Sequence, residues 1–178
     1  VYLVPIHAAP ELIDRLKDYY RDQLGLKIEV LHAVQADSAS YDNSRQQLIA
    51  EELVATLRDR YGGLTQNGRA VVIGVTSWDM YPRSRPWQFS FGWRNAPYAI
   101  VSYARMHLPA TRTGSPDEAL VFPRLRKMVT RYVGALAFHI GLNSDRRSIM
   151  YQDIMGLDDL DRVDEDLARA GFPHRKSQ

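Results

Sequence analysis

Hydrophobic positions change their period along the chain, and each change marks an element. Val1 to Ile6 is a short apolar run bounded by Pro5 and Pro10, the pattern of a buried strand. From Glu11 to Leu24 the residues Leu12, Ile13, Leu16, Tyr19, Tyr20 and Leu24 recur at helical spacing and fall on one face. Gly25 supplies the stop, because glycine takes the left-handed conformation that closes a helix. Leu26 to Val34 then alternates Leu26, Ile28 and Val30 with more polar neighbours and predicts a half-buried strand. A second helix is predicted from a cap at Asp42, Asn43 or Ser44 through Arg60. Its apolar face is Leu48, Ile49, Leu53, Val54 and Leu57, and Gly62 and Gly63 end it.

The β-branched run Ala70 to Thr76 predicts a buried central strand, and strand–helix–strand order at this spacing favours a mainly parallel sheet. Trp87 to Trp93 alternates strictly, with Trp87, Phe89, Phe91 and Trp93 on one side and Gln88, Ser90 and Gly92 on the other. That is the pattern of an edge strand whose aromatic side faces the core. Tyr98 to Ala104 gives a further strand, and a polar loop over Pro109 to Pro116 leads into a long helix from Asp117. This helix carries Leu120, Leu125, Met128, Val129, Tyr132, Val133 and Leu136 and loses its polar face after Arg131, so its last two turns are expected to be buried. Asn143 to Ser148 reads as a loop, Ile149 to Met155 as a tight apolar segment, and Leu157 to Ala170 as an acid-rich helix. Asp158, Asp159, Asp161, Asp164 and Glu165 lack calcium-loop spacing and suit the helix N-terminus. Residues 171–178 are expected to form a flexible tail.

A length of 178 residues with 45% hydrophobic content fits one domain spanning 1–178. No apolar run is long enough for a transmembrane helix. The absence of cysteine excludes disulfides, thiolate nucleophiles and cysteine metal sites. The opening at Val1 inside an apolar run is expected to follow an initiator methionine and a targeting segment, which leaves the compartment open. Arg83, Arg85 and Arg94 flank the aromatic strand, while Arg124, Arg126, Lys127 and Arg131 lie on the long helix; both sets read as solvated faces. With 23 Lys and Arg against 21 acids, and a net charge of +2, no nucleic-acid partner is expected.

Four strings in this order resemble the archaemetzincin peptidases: Ile73-Gly-Val-Thr-Ser-Trp-Asp-Met-Tyr81, Phe89-Ser-Phe-Gly92, Ala99-Ile-Val-Ser-Tyr-Ala-Arg-Met106 and Ser148-Ile-Met-Tyr151. The similarity spans nearly the whole chain. It implies an α+β fold of the metzincin (zincin) type. Its parts would be a mixed twisted sheet, two packed N-terminal helices, an active-site-type helix, a Met-turn at Met150 and a C-terminal helix. It also implies the signature HExxHxxGxxH just before that turn, where histidines one helical turn apart hold zinc and a glutamate activates water. With the motif glycine on Gly141, the ligand positions fall on Gly134, Phe138 and Ser144 and the glutamate on Ala135. None of these side chains supplies the required chemistry. The family's second, cysteine-rich zinc site is excluded too.

The resemblance therefore predicts a catalytically degenerate archaemetzincin-like protein with no metal and no cofactor. Its role would be to bind an extended peptide or protein along the edge strand at Trp87, Gln88, Phe89, Ser90 and Phe91, or to serve a structural purpose. The alternative is an active metallopeptidase or other hydrolase working with non-standard residues. Its zinc would sit on His139 together with His107 or His174; a hydrolytic set without metal would draw on Ser102, His107 and Asp79. His139 points away from the position vacated at 138, because a helix advances about 100° per residue, and it reads as a structural histidine.

Overall fold

Val72–Thr76 forms the centre of the sheet in the computed structural model, which describes residues 1–111 and 113–173. The chain falls into two compact units, Val1–Arg105 and Met106–Gln178. In the first, the elements in order are β1 (Tyr2–Ile6), α1 (Pro10–Leu24), β2 (Glu29–Val30), β3 (Tyr41–Asp42), β4 (Gln47–Ile49), α2 (Ala50–Thr65), β5 (Val72–Thr76), β6 (Met80–Tyr81), β7 (Gly92–Asn95) and β8 (Tyr98–Ser102). A five-stranded sheet runs β2-β1-β5-β8-β7. Its first four strands are parallel, and β7 is antiparallel to β8 at the edge. A second sheet, β3-β4-β6, has no counterpart in the sequence reading.

Val4, Ile6, Val72 and Ile100 share one face of the main sheet with Leu53, Val54 and Leu57 of α2. Each such side chain, fully buried, contributes about 1.5–3 kcal/mol. Gly74 sits where this packing is tightest: a Cβ there would stand 2.6 Å from Ile100 Cδ1 and 3.1 Å from Leu57 Cδ1. Leu3, Ile73 and Val75 alternate with the first set and point to the opposite face. Helix α1 buries Ile13, Leu16 and Tyr20 and packs along β1 and β2. Gly25 closes it at φ 60°, as expected.

Several expected boundaries move. Between Leu26 and Val34 only Glu29–Val30 is ladder, because this edge strand has β1 as its sole neighbour; Leu31 and Val34 each add one hydrogen bond to β1. Asp42 does not cap a helix. Its carboxylate accepts from Ser44 N (2.9 Å) and Ser44 Oγ (2.6 Å), and so closes the β3–β4 turn. Leu48 and Ile49, which fit the helical period, belong to β4, and α2 starts at Ala50. It then passes Gly62 and Gly63 to Thr65; neither glycine takes the left-handed conformation that would end it.

The second unit is built on α3 (Val121–Ala137), entered through a single 3-10 turn at Glu118–Leu120 that Asp117 caps. The last turns of α3 are buried as expected. The acid-rich helix is shorter than its pattern: α4 covers Leu157–Arg162, and Asp164 N then bonds to Arg147 O (2.7 Å) instead of continuing the helix. The flexible tail assigned from residue 171 is also corrected at its start, because Phe172 is buried. The basic residues of α3 are not a solvated face. Arg124 and Arg131 are 2% and 9% exposed. Arg124 holds Asp161 in a fork (2.7 and 2.6 Å) and donates to Met106 O and Leu108 O, while Arg126 pairs with Glu165 (2.6 Å).

Candidate functional site

Gly134 and Ala135 lie in the last turn of α3, Phe138 caps its end, and Ser144 is exposed in the loop beyond. The final turn is wide: Phe138 N donates to Val133 O (3.3 Å) and Ile140 N to Gly134 O (2.9 Å). His139 reverses the chain between them at φ 54°, with its side chain in solvent.

The missing side chain at Gly134 leaves a gap that other residues fill. A Cβ built there would lie 2.8 Å from Phe172 Cζ and 3.0 Å from Met150 Sδ. The Phe172 ring stands edge-on to Phe138, centroids 5.4 Å apart. Met150 is wholly buried in a tight turn, in which Tyr151 N donates to Ser148 O (2.9 Å) and Met150 N to Ser148 Oγ (3.2 Å). Asn143 N closes onto Met150 O (2.9 Å). Arg131, reaching from α3, donates to the carbonyls of Ile149, Tyr151 and Gln152 and fixes the turn against its own helix.

These residues do not fit a zinc ion. Gly134 has no donor, the Phe138 ring has none, a serine hydroxyl is a poor ligand, and the space over Gly134 is occupied by carbon and a thioether. Among the described residues, no three His, Cys, Asp or Glu side chains are grouped so as to hold a metal. His107 is half-buried and its carbonyl accepts from Asp117 N (2.7 Å); His174 lies outside the described residues.

The aromatic segment is also rearranged. The strand holds only Gly92–Asn95, and Trp87 to Phe91 is outside the ladder. Its main chain is taken up elsewhere: Arg45 Nη2 (2.7 Å) and Gln47 Nε2 (2.9 Å) both donate to Gln88 O, and Ser90 N donates to Met80 O (2.8 Å). The aromatics still associate, Trp87 with Trp93 and Phe89 with Phe91, and Arg105 lies over Phe89. Of the four, Phe91 is buried.

Asp79 is committed to Arg105, whose Nε and Nη2 reach its two oxygens at 2.9 and 2.6 Å, and to Gln47 (2.8 Å). Ser102 is buried and donates to Trp78 O (2.6 Å). Neither has the partner that hydrolytic chemistry needs. Nearby, hydrogen bonds from Ser44 and Tyr81 lower the Asp42 carboxyl from 3.8 to about 2.

The parts that sequence reasoning missed are Phe172, Arg131 and the Arg45–Gln47 clamp. Phe172 had a signal, an aromatic beside Ala170 in a segment otherwise polar; the other two depend on contacts far apart in the chain.

No family model matches the sequence, and no curated protein does. Solved structures do. The chain is 25% identical to an archaemetzincin from Methanopyrus kandleri, over 91% of this chain and 85% of that one, with TM-score 0.67. It is 19% identical to a zinc-dependent peptidase from Methanocorpusculum labreanum, over 91% and 92%, with TM-score 0.71. It is also 19% identical to an archaemetzincin from Archaeoglobus fulgidus, over 95% and 98%, with TM-score 0.72. The class these matches define is the mixed α/β architecture of zinc peptidases. Within it, this chain has the archaemetzincin-like fold.

Proposed function

We propose that the chain is an archaemetzincin-like domain without zinc peptidase activity, retained to bind an extended peptide or protein segment. The filled space beside Gly134 carries this reading. A zinc peptidase needs protein ligands and a water that the metal activates, with a base to take its proton. At the positions that correspond to that machinery, this chain has Gly134, Ala135, Phe138 and Ser144, and Phe172 with Met150 packs over the first of them. Met150 then persists as scaffold for the turn, without a metal to underlie.

Binding of an extended segment is supported by β7. It ends the sheet, so one side of its backbone has no strand partner among the described residues, and main-chain hydrogen bonding to a peptide needs no metal. Asp79 and Ser102, held by Arg105, Gln47 and Trp78 O, favour no alternative hydrolytic set.

The deciding experiment is metal analysis of the purified chain after dialysis, with thermal melts in the presence and absence of chelator. Zinc well below one per chain and superimposable melts are expected, since a bound ion would raise stability by mass action. Zinc at about one per chain, with a chelator-sensitive melt, would sink the proposal.

A further inference from the structure

A concavity of about 490 Å³ lies between the C-terminal half of α1 and the segment leading into β2. Its volume falls in the range of small-molecule sites, which run to roughly 300–1,000 Å³. Leu26, Ile28 and Val30 give it one apolar wall: Ile28 is buried, while Val30 is 40% exposed on the short edge strand. An exposed β-branched side chain beside an open cavity offers apolar contact that the fold itself leaves unused.

The rim carries Lys17, Arg21 and Lys27, with the Glu29 carboxylate beside Lys27. Lys17 and Arg21 are four residues apart on α1 and share a face, and Lys27 faces the same space. Arg21 is balanced by Asp18 (2.7 Å) and Asp22 (2.9 Å), and Lys27 by Glu29 (2.9 Å). Lys17 makes no ion pair with a described residue. With Arg21 and Lys27 already paired to carboxylates, the Lys17 ammonium is the rim cation left to meet an anion. Gly25 N and Leu26 N cap Arg21 O and Tyr20 O, so these two helix-end carbonyls make no demand on the Lys17 ammonium.

We propose that this cavity binds a small amphipathic anion, a carboxylate on an unbranched apolar chain. The chain lies against Leu26, Ile28 and Val30, and the carboxylate meets Lys17 at the rim. The test is a titration of the full chain with octanoate, read by amide chemical shifts and calorimetry, with octylammonium as the probe of equal chain length and opposite charge. Octanoate is expected to give saturable shifts confined to the α1 C-terminus and Leu26–Val30, and octylammonium none. Lys17→Glu, a change at an exposed position, is expected to weaken octanoate up to about fivefold, the upper worth of one surface charge contact. Val30→Asp is expected to abolish binding. Equal binding of the two probes, or full affinity in Lys17→Glu, would overturn the proposal and leave a non-specific apolar contact. Absence of octanoate binding would overturn it as well and leave the cations as partners of the helix end alone.

Discussion

Phe172 shows how much one side chain settles when its neighbour is glycine. Its ring fills the space over Gly134 and stands against Phe138, so truncation leaves a void that α3 cannot close without moving. Phe172→Ala is expected to lower stability by about 3 kcal/mol in urea unfolding, as for other buried phenylalanines, while Phe172→Leu costs about half of that. A mobile C-terminus would make both changes silent. Arg131 works at the same scale by another route. Its guanidinium supplies the donors for three carbonyls of the Met150 turn, and Arg131→Met strands them in a buried position. A loss of about 3 kcal/mol is expected. Near-ultraviolet circular dichroism, which reports on Tyr151 and Phe172 packing, should change with it.

Among elements, turns and caps decide where patterns stop. The run from Leu48 to Leu57 has helical spacing throughout, yet Leu48 and Ile49 pair with Met80 and Tyr81 as a strand. Periodicity cannot see that partner, which is about thirty residues away in the chain and becomes a neighbour only in the fold. The long elements were legible because β5 and β8 are buried throughout while α1 and α3 each bury a continuous face. The short ones, β3, β4 and β6, were not, because cross-strand pairing creates them. The β3–β4 turn itself rests on Asp42, whose carboxyl is held at about 2, below its ordinary 3.8. The lowered value means that the charged form is favoured in the fold. Its stabilisation is therefore complete above about pH 5 and is lost as pH falls through 3.8 and on through about 2. Asp42→Asn is expected to flatten the acid side of the stability profile in that window while leaving it parallel to the parent above pH 5, which denaturant melts across pH would reveal.

For the molecule as a whole, a fold shared with proteins at 19–25% identity leaves the chemistry of the site free to differ. The class was legible from four strings in order, but the packing around Gly134 was not. Phe172 is more than thirty positions beyond Gly134 in sequence and touches it only after α4 and the following turns return the chain to α3. Charge behaves likewise. The basic residues of α3 are spent on Asp161, Glu165 and backbone carbonyls, and the net charge is +2. No appreciable association with duplex DNA is expected at physiological salt; fluorescence anisotropy with a labelled duplex checks this, and a tight, steeply salt-dependent complex would contradict it.

The crowding over Gly134 also sets an order on sequence change. A side chain can enter at 134 only if the Phe172 ring and the Met150 thioether give way, because its Cβ would fall 2.8 Å from Phe172 Cζ and 3.0 Å from Met150 Sδ. Shrinking residue 172 first opens the core and gains nothing in exchange. A larger residue at 134 thus meets neighbours that must move first, and substitution there has a preferred order. The packed helix end acts as a ratchet: substitutions that improve its packing accumulate easily, and those that loosen it must arrive together.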